Sequence, residues 1–101
     1  MATSFVIRYD AACVADLKVL RQFERKRVLD EVDSQLSSRP AIPSRRRKLL
    51  TAIATPWATV RPVWQLRVGD FRVFYDVDED GREVIVRAVR RKGTKTTGEV
   101  L

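Results

Sequence analysis

The fold is decided by residues 63–92, which read VWQLRVGDFRVFYDVDEDGREVIVRAVRRK. Apolar residues occupy every second position here, and this period of two is typical of half-buried β-strands. The alternating runs lie at 60–68, 71–77 and 83–91. Short glycine-containing turns at 69–70 and 78–81 separate the runs. Three runs joined by turns this short predict an antiparallel meander.

Alternation also assigns every side chain of the meander to one of two sheet faces. The side chains predicted to face the core are Trp64, Leu66, Val68, Phe71, Val73, Tyr75, Val77, Val84, Val86 and Ala88. Those predicted to lie on the opposite, open face are Gln65, Arg67, Arg72, Phe74, Asp76, Ile85, Arg87, Val89 and Arg91. Arginines mixed with apolar groups suit a phosphate backbone whose bases lie on apolar side chains. The alternative is an ordinary solvated face with snorkelling arginines.

Upstream of the meander, the pattern predicts one strand followed by helices. Residues 4–9 alternate and predict the first strand, after which Asp10 is placed to cap a helix. Apolar residues then recur at helical spacing, at Cys13, Leu17 and Leu20 and again at Val28, Leu29, Val32 and Leu36. A break near 21–24 predicts two helices; a single bent helix is the alternative, because no glycine or proline separates the patterns. The second pattern ends by Ser38, ahead of a proline.

Together these elements predict an α+β fold. A two-helix hairpin packs on one face of a mainly antiparallel four-stranded sheet, in the order β-α-α-β-β-β. Residues 48–54 are a short apolar piece to which no type is assigned. A chain of 101 residues corresponds to a single domain, 1–101, of which residues 92–101 are expected to form a flexible C-terminal tail.

The single cysteine and the hydropathy indicate in which cellular compartment the protein works. Cys13 permits no internal disulfide and falls in the helical apolar pattern, so a packed thiol is predicted. No stretch approaches the roughly 20 apolar residues of a membrane span. The opening residues lack the basic and then apolar pattern of a signal peptide. The protein is therefore expected to be cytoplasmic, without a membrane partner.

Positive charge is abundant and unevenly placed. Lys and Arg total 20 against 13 acidic residues, which gives a net charge of +7. Hairpin geometry brings the last strand back beside the turn at 69–70, so one end of the sheet is expected to gather Arg67, Arg72, Arg87, Arg90, Arg91 and Lys92. A second run, in a loop, comprises Arg45, Arg46, Arg47 and Lys48. Arginine binds phosphate through a planar fork, so the pattern favours a nucleic acid or an acidic protein as partner over mere solubility.

The sequence excludes several kinds of chemistry. It contains no histidine, which removes the usual acid–base pair of ribonucleases and the usual catalytic triads. It has neither a set of His and Cys metal ligands nor a glycine-rich phosphate loop. An enzyme built from this chain would need no metal or cofactor. It would act through Arg, Lys and Tyr, for example by stabilising the pentavalent phosphate formed when RNA is cleaved by its own 2′-hydroxyl.

The run VWQLRVGDFRVFYDV at 63–77, followed by VIVRAVRRK at 84–92, resembles the RelE/ParE toxin family. The early strand FVIRYD and the stretch with Ala12, Asp16, Leu17 and Leu20 are similar to its opening. The resemblance implies a toxin that an antitoxin neutralises by direct binding. RelE-type members cut mRNA in the ribosomal A site, whereas ParE-type members share the fold and poison DNA gyrase.

By motif position, the resemblance implies a catalytic role for Arg67 and Arg72 around the turn, and for Arg91 or Lys92 at the end of the last strand. RNA-binding roles are predicted for Arg45, Arg46, Arg47, Lys48, Arg87, Arg90 and Lys95. Cutting members often carry lysine before the turn, where this chain has Val63 and Gln65. They often end on an aromatic residue or histidine, where it has Thr96, Thr97 and Val100. The general base is therefore unassigned, with Lys92 the favoured candidate.

Three functions follow as hypotheses. The first is a ribosome-dependent mRNA endonuclease, with mRNA on the ribosome as substrate. The second is a gyrase inhibitor of the same fold that acts by binding, and the third is a non-toxic RNA-binding module. For a toxin, the expected partner is a cognate antitoxin whose acidic segment wraps around this basic chain.

Overall fold

The computed structural model describes residues 4–50 and 62–92. Its elements are β1 Val6–Tyr9, α1 Ala11–Lys18, α2 Gln22–Leu36, β2 Arg47–Leu50, β3 Val63–Val68, β4 Phe71–Asp78 and β5 Glu83–Arg91. The strands form one sheet in the order β1-β5-β4-β3-β2. β1 pairs with β5 in parallel and the other pairs are antiparallel. The α+β fold and the meander are thus confirmed.

Within residues 4–50 and 62–92 the sheet has five strands rather than the predicted four. The additional strand is β2, Arg47–Leu50, which pairs antiparallel to β3. It overlaps the segment 48–54 to which the sequence assigned no type, and 51–54 lie outside the described residues. Its sequence RKLL has no alternation, so its conformation comes from backbone pairing with the edge of β3 rather than from a local pattern.

The break between the helices is confirmed, although it begins slightly before the predicted 21–24. α1 ends at Lys18 and α2 begins at Gln22. Arg25 secures the break: its Nε donates to the Leu17 carbonyl at 3.0 Å and its Nη2 to the Leu20 carbonyl at 3.1 Å. Carbonyls at the end of a helix lack partners within the helix. The break between the helices is therefore stabilised by an arginine of α2, without the glycine or proline that usually marks such a break.

The main core lies between the helices and one face of the sheet. Cys13, Val28, Val32 and Leu36 pack there against alternate residues of the sheet. Trp64 belongs to this core, as predicted, and stacks on Tyr75 with ring centroids 6.3 Å apart. The Tyr75 hydroxyl donates to the carbonyl of Pro40 at 2.7 Å, which ties the loop after α2 to the sheet.

A β-bulge in β5 changes the predicted faces. Tyr75 pairs with Val86, but Phe74 pairs with Ala88, so Arg87 is an extra residue. Beyond this point the alternation of β5 is shifted by one position. Ala88, predicted to face the helices, lies in a cluster on the far face, whereas Val89 joins the helix-side core. A strict period of two cannot anticipate an inserted residue.

The far face is also not open in its middle, contrary to the sequence prediction. Phe74 and Asp76 are buried there, and so is Gln65. Phe74 forms a second apolar cluster with Leu50, Val63 and Ala88. The part of this face at Gln65, Phe74 and Asp76 is therefore not available to a large partner.

Cys13 should be inert towards thiol reagents while the protein is folded. Its side chain has no exposed surface, and burial, followed by the charges of Asp16 and Asp10, raises its pKa from 9.0 to about 12. The reactive form is the thiolate. The unfolded thiol ionises from about pH 9 and the folded one only near pH 12, so its contribution to stability is present below pH 9 and lost as the pH rises through this window.

The measurement is the rate of labelling by a chromogenic disulfide at pH 8, native and in denaturant. We expect the native rate to be slower by about two orders of magnitude or more, since only local or global opening exposes the thiol. Equal rates in the two conditions would show that the thiol is not packed.

Candidate nucleic-acid interface

The turn between β3 and β4 organises the basic end of the sheet. Arg67 lies directly opposite Arg72, and Arg72 directly opposite Arg90, so the three form a row across β3, β4 and β5. Lys92 lies beside the turn, because its backbone N–H donates to the Asp70 carbonyl at 2.8 Å. The prediction that the last strand returns to this turn is confirmed.

Arg72 is positioned by the turn itself. Its Nη1 donates to the carbonyl of Gly69 at 2.8 Å and to that of Phe71 at 2.9 Å. Burial and then the charge of Arg67 lower the pKa of Arg72, while Asp70 acts in the opposite direction. The guanidinium nevertheless stays protonated at neutral pH. Two adjacent like charges repel each other, and an anion bound between them would relieve that repulsion.

Arg91 does not join this row. It is opposite Phe71 on the helix side, where its guanidinium lies 4.6 Å from the centroid of the Phe71 ring. Its Nη2 donates to Oε2 of Glu24 in α2 at 2.8 Å. This bond is the main cause that lowers the pKa of Glu24. The sequence placed Arg91 on the open face beside Arg72, and that placement is wrong because the bulge at Arg87 shifts the alternation.

Arg90 and Arg87 are engaged by carboxylates of the protein itself. Arg90 Nη1 forms an ion pair with Oδ2 of Asp16, and the same oxygen accepts the Val89 N–H at 3.0 Å. Arg87 pairs with the buried Asp76 at 3.2 Å. Both arginines thus have roles within the fold, and the basic end is less positive than its sequence indicates.

In the run at 45–48, two arginines are likewise engaged by side chains of the protein itself. Arg46 pairs with Glu31 of α2 at 3.0 Å, and Arg47 donates to Oε1 of Gln35 at 2.7 Å. Arg45 and Lys48 are exposed. The Arg46 carbonyl accepts the N–H of Arg67 at 2.8 Å, so pairing of β2 brings this run to the basic end. Lys95 and the rest of the predicted tail beyond Lys92 lie outside the described residues.

One cation at this end was not predicted from the sequence. Arg27 projects from α2 against the turn: a Cβ placed on Gly69 would lie 3.0 Å from both of its terminal nitrogens. Nothing in the local sequence separates Arg27 from its neighbour Lys26, because its position depends on how α2 packs against the sheet.

The arrangement can therefore hold an anion, but the described tyrosines are unsuited to proton transfer. Within residues 4–50 and 62–92, no carboxylate forms an ion pair with Arg27, Arg67, Arg72 or Lys92. Burial raises the pKa of Tyr9 to about 12 and that of Tyr75 further, so neither phenol is available as a base. The described part of the chain contains no cluster of side chains that could hold a metal ion. None of its helices is long and apolar enough to cross a membrane.

Comparison with known families defines the class of protein. The profile described as "ParE toxin of type II toxin-antitoxin system, parDE" matches residues 7–95. The match spans most of the chain, which therefore belongs to the ParE toxin family, within the RelE/ParE group of toxins. The resemblance seen in the meander is thus confirmed. No curated protein matches the chain by sequence.

Solved structures agree with the fold. The toxin–antitoxin complex RelBE2 from Mycobacterium tuberculosis matches with a TM-score of 0.67 and 22% identity, covering 85% of this chain and 95% of that one. The archaeal RelE–RelB complex from Pyrococcus horikoshii gives 0.64 and 18%, covering 89% and 97%. The isolated RelE toxin of E. coli gives 0.50 and 19%, covering 84% and 81%. At such identities the likeness establishes the fold.

Proposed function

We propose that this toxin arrests translation by cutting mRNA in the ribosomal A site. The observation that carries the proposal is the cross-strand pair of Arg67 and Arg72, which lies at the exposed end of the sheet and is not neutralised by a described carboxylate. Lys92 lies beside the same turn. Three cations in this space suit a phosphodiester that gains negative charge during cleavage.

The reaction needs only groups that the chain and RNA supply. The 2′-hydroxyl of the RNA attacks the adjacent phosphorus, a P–O bond forms, and the bond to the 5′-oxygen of the next nucleotide breaks. Arg72 and Arg67 stabilise the pentavalent phosphate, because their donors are held near it. Lys92 is the candidate to take the proton of the attacking 2′-hydroxyl and to give a proton to the leaving 5′-oxygen. Arg91, engaged by Glu24, is left with a role in holding α2 to β5.

The proposal includes an antitoxin partner. The net charge of +7 and the un-neutralised cations at the turn favour an acidic segment. Val19 and Phe23, near the break between the helices, are among the most exposed large apolar side chains. We expect the acidic segment to cover the basic end and an apolar segment to cover this pair. Similar solved structures are of RelE toxins bound to RelB, which supports a partner of this kind.

Gyrase inhibition is the second candidate, and one observation favours it. The chain has no histidine to act as a general base, and burial raises the pKa of its described tyrosines Tyr9 and Tyr75. A toxin that acts by binding needs no such group. The matching family profile also takes its name from ParE toxins.

The deciding experiment separates translation arrest from DNA damage after induction of the toxin without its antitoxin. We expect protein synthesis to stop within minutes, primer extension to map cuts within codons of ribosome-bound mRNA, and plasmid supercoiling to stay intact. Gyrase-linked DNA breaks with uncut mRNA would instead support the second candidate. Normal growth would support the binding-module hypothesis. Co-expression with the neighbouring reading frame should restore growth if that frame encodes the antitoxin.

A further inference from the structure

Arg27 of α2 lies against the turn that precedes Arg72. A Cβ on Gly69 would be 3.0 Å from Nη1 and from Nη2 of Arg27, and 3.2 Å from Cζ. The two terminal nitrogens are thus the part of Arg27 that lies nearest to this position. Gly69 has a φ of +57°, where glycine is favoured, and its lack of a side chain also makes room for Arg27.

The charge of Arg27 is left uncompensated within the described part of the chain. Its nearest acidic neighbours along α2 are all engaged by other cations. Glu24 accepts from Arg91 at 2.8 Å, Asp30 from Lys26 at 2.9 Å and Glu31 from Arg46 at 3.0 Å. None of the N–H donors of Arg27 makes a hydrogen bond to a described residue.

Arg27 and Arg72 reach the turn from opposite faces of the sheet. α2 packs on the face that holds Phe71, whereas Arg72, the next residue along β4, lies on the other face. Arg72 nevertheless donates to the Gly69 carbonyl at 2.8 Å. Two forks that bind no carboxylate therefore meet at one glycine, at the end of the sheet.

We propose that Arg27 binds a backbone phosphate of single-stranded RNA, on the helix side of the turn, next to the phosphate held by Arg67 and Arg72. The strand then passes around the end of the sheet rather than along the far face, whose middle is buried. This inference rests on the proposed function for the identity of the nucleic acid. A guanidinium that lies against this turn and binds no described carboxylate is suited to bidentate phosphate contact.

The test is the salt dependence of RNA binding by the full-length toxin. Affinity for a short fluorescent single-stranded RNA is measured by anisotropy across a salt series, for the wild type, Arg27→Ala, Arg27→Lys and Lys26→Ala. The Lys26 variant removes the same charge one position away, from a residue already paired with Asp30. Circular dichroism and A-site cleavage are recorded in parallel for every protein.

We expect Arg27→Ala to lower the slope of log K against log salt by about 0.7, as for one lost single-strand phosphate contact, and to weaken binding roughly tenfold at low salt. Arg27→Lys should restore most of the slope and part of the affinity, because it keeps the charge and loses the fork. Lys26→Ala should leave the slope unchanged.

The possible outcomes test the Arg27 site separately from the proposed function on which it rests. A wild-type slope in Arg27→Ala, with A-site cleavage present in the wild type, overturns the Arg27 site and leaves the proposed function in place. A reduced slope without cleavage by the wild type supports the Arg27 site and overturns the cleavage proposal. Equal losses in Arg27→Ala and Lys26→Ala show a general effect of charge and overturn a specific contact.

Discussion

Replacing Arg72 by alanine should remove most of the toxicity while leaving the fold intact. If Arg72 stabilises the charge that develops on the scissile phosphate, losing this donor is expected to slow cleavage by roughly a hundredfold or more. The cost in stability should be small, about 1 kcal/mol, since two hydrogen bonds to turn carbonyls are lost and repulsion from Arg67 is relieved. Growth after induction and the rate of mRNA cleavage on purified ribosomes are the measurements.

Arg8→Ala is the matched control for this experiment. Arg8 is also an arginine beside β5, but it pairs with Glu83 at the opposite end of the sheet. Its loss should leave both toxicity and cleavage near wild-type levels. Arg72→Lys should recover part of the activity, because the charge stays and the fork is lost. A folded Arg72→Ala protein that remains fully toxic would contradict the assignment of the site.

Asp76→Ala should lower the free energy of unfolding considerably more than Arg72→Ala does. The Asp76 side chain is only 1% exposed, and it pairs with Arg87, whose side chain is 21% exposed. Removing the carboxylate leaves a largely buried guanidinium without this partner, a change that typically costs about 3 kcal/mol or more. Denaturant unfolding of the purified protein, followed by circular dichroism, is the measurement.

Two further variants show whether the pair is the cause. Asp30→Ala breaks the exposed Lys26–Asp30 pair, and we expect it to change the free energy of unfolding by less than about 0.5 kcal/mol. The double variant Asp76→Ala/Arg87→Ala should be less destabilised than the sum of the single variants, because neither charge is then left alone. Unfolding of Asp76→Ala at the wild-type denaturant concentration would show that this buried pair contributes no net stability.

Local sequence was sufficient to predict the structure wherever the spacing of apolar and turn residues along the chain determines it. Alternating residues and a two-residue turn between Arg67 and Arg72 dictate a hairpin, and a hairpin places those two arginines opposite each other. Helical spacing at Cys13 and Leu17 likewise predicts a buried stripe, because the period of the apolar residues matches the turn of the helix. The fold class and the Arg67–Arg72 pair could therefore be predicted without tertiary information.

Tertiary packing decided which of the other cations are available. Carboxylates from the helices, Asp16 and Glu24, engage Arg90 and Arg91 over more than 60 residues of sequence, and no local pattern encodes such a meeting. The bulge at Arg87 moved Arg91 to the helix face for the same reason, since pairing with β4 and not composition sets where the extra residue lies. The sequence pattern does not distinguish Arg27 from its neighbour Lys26. Only the packing of α2 over Gly69 brings Arg27 to the basic end. Spacing along one chain determines which residues are neighbours on an element, whereas charge pairing between elements depends on the three-dimensional fold.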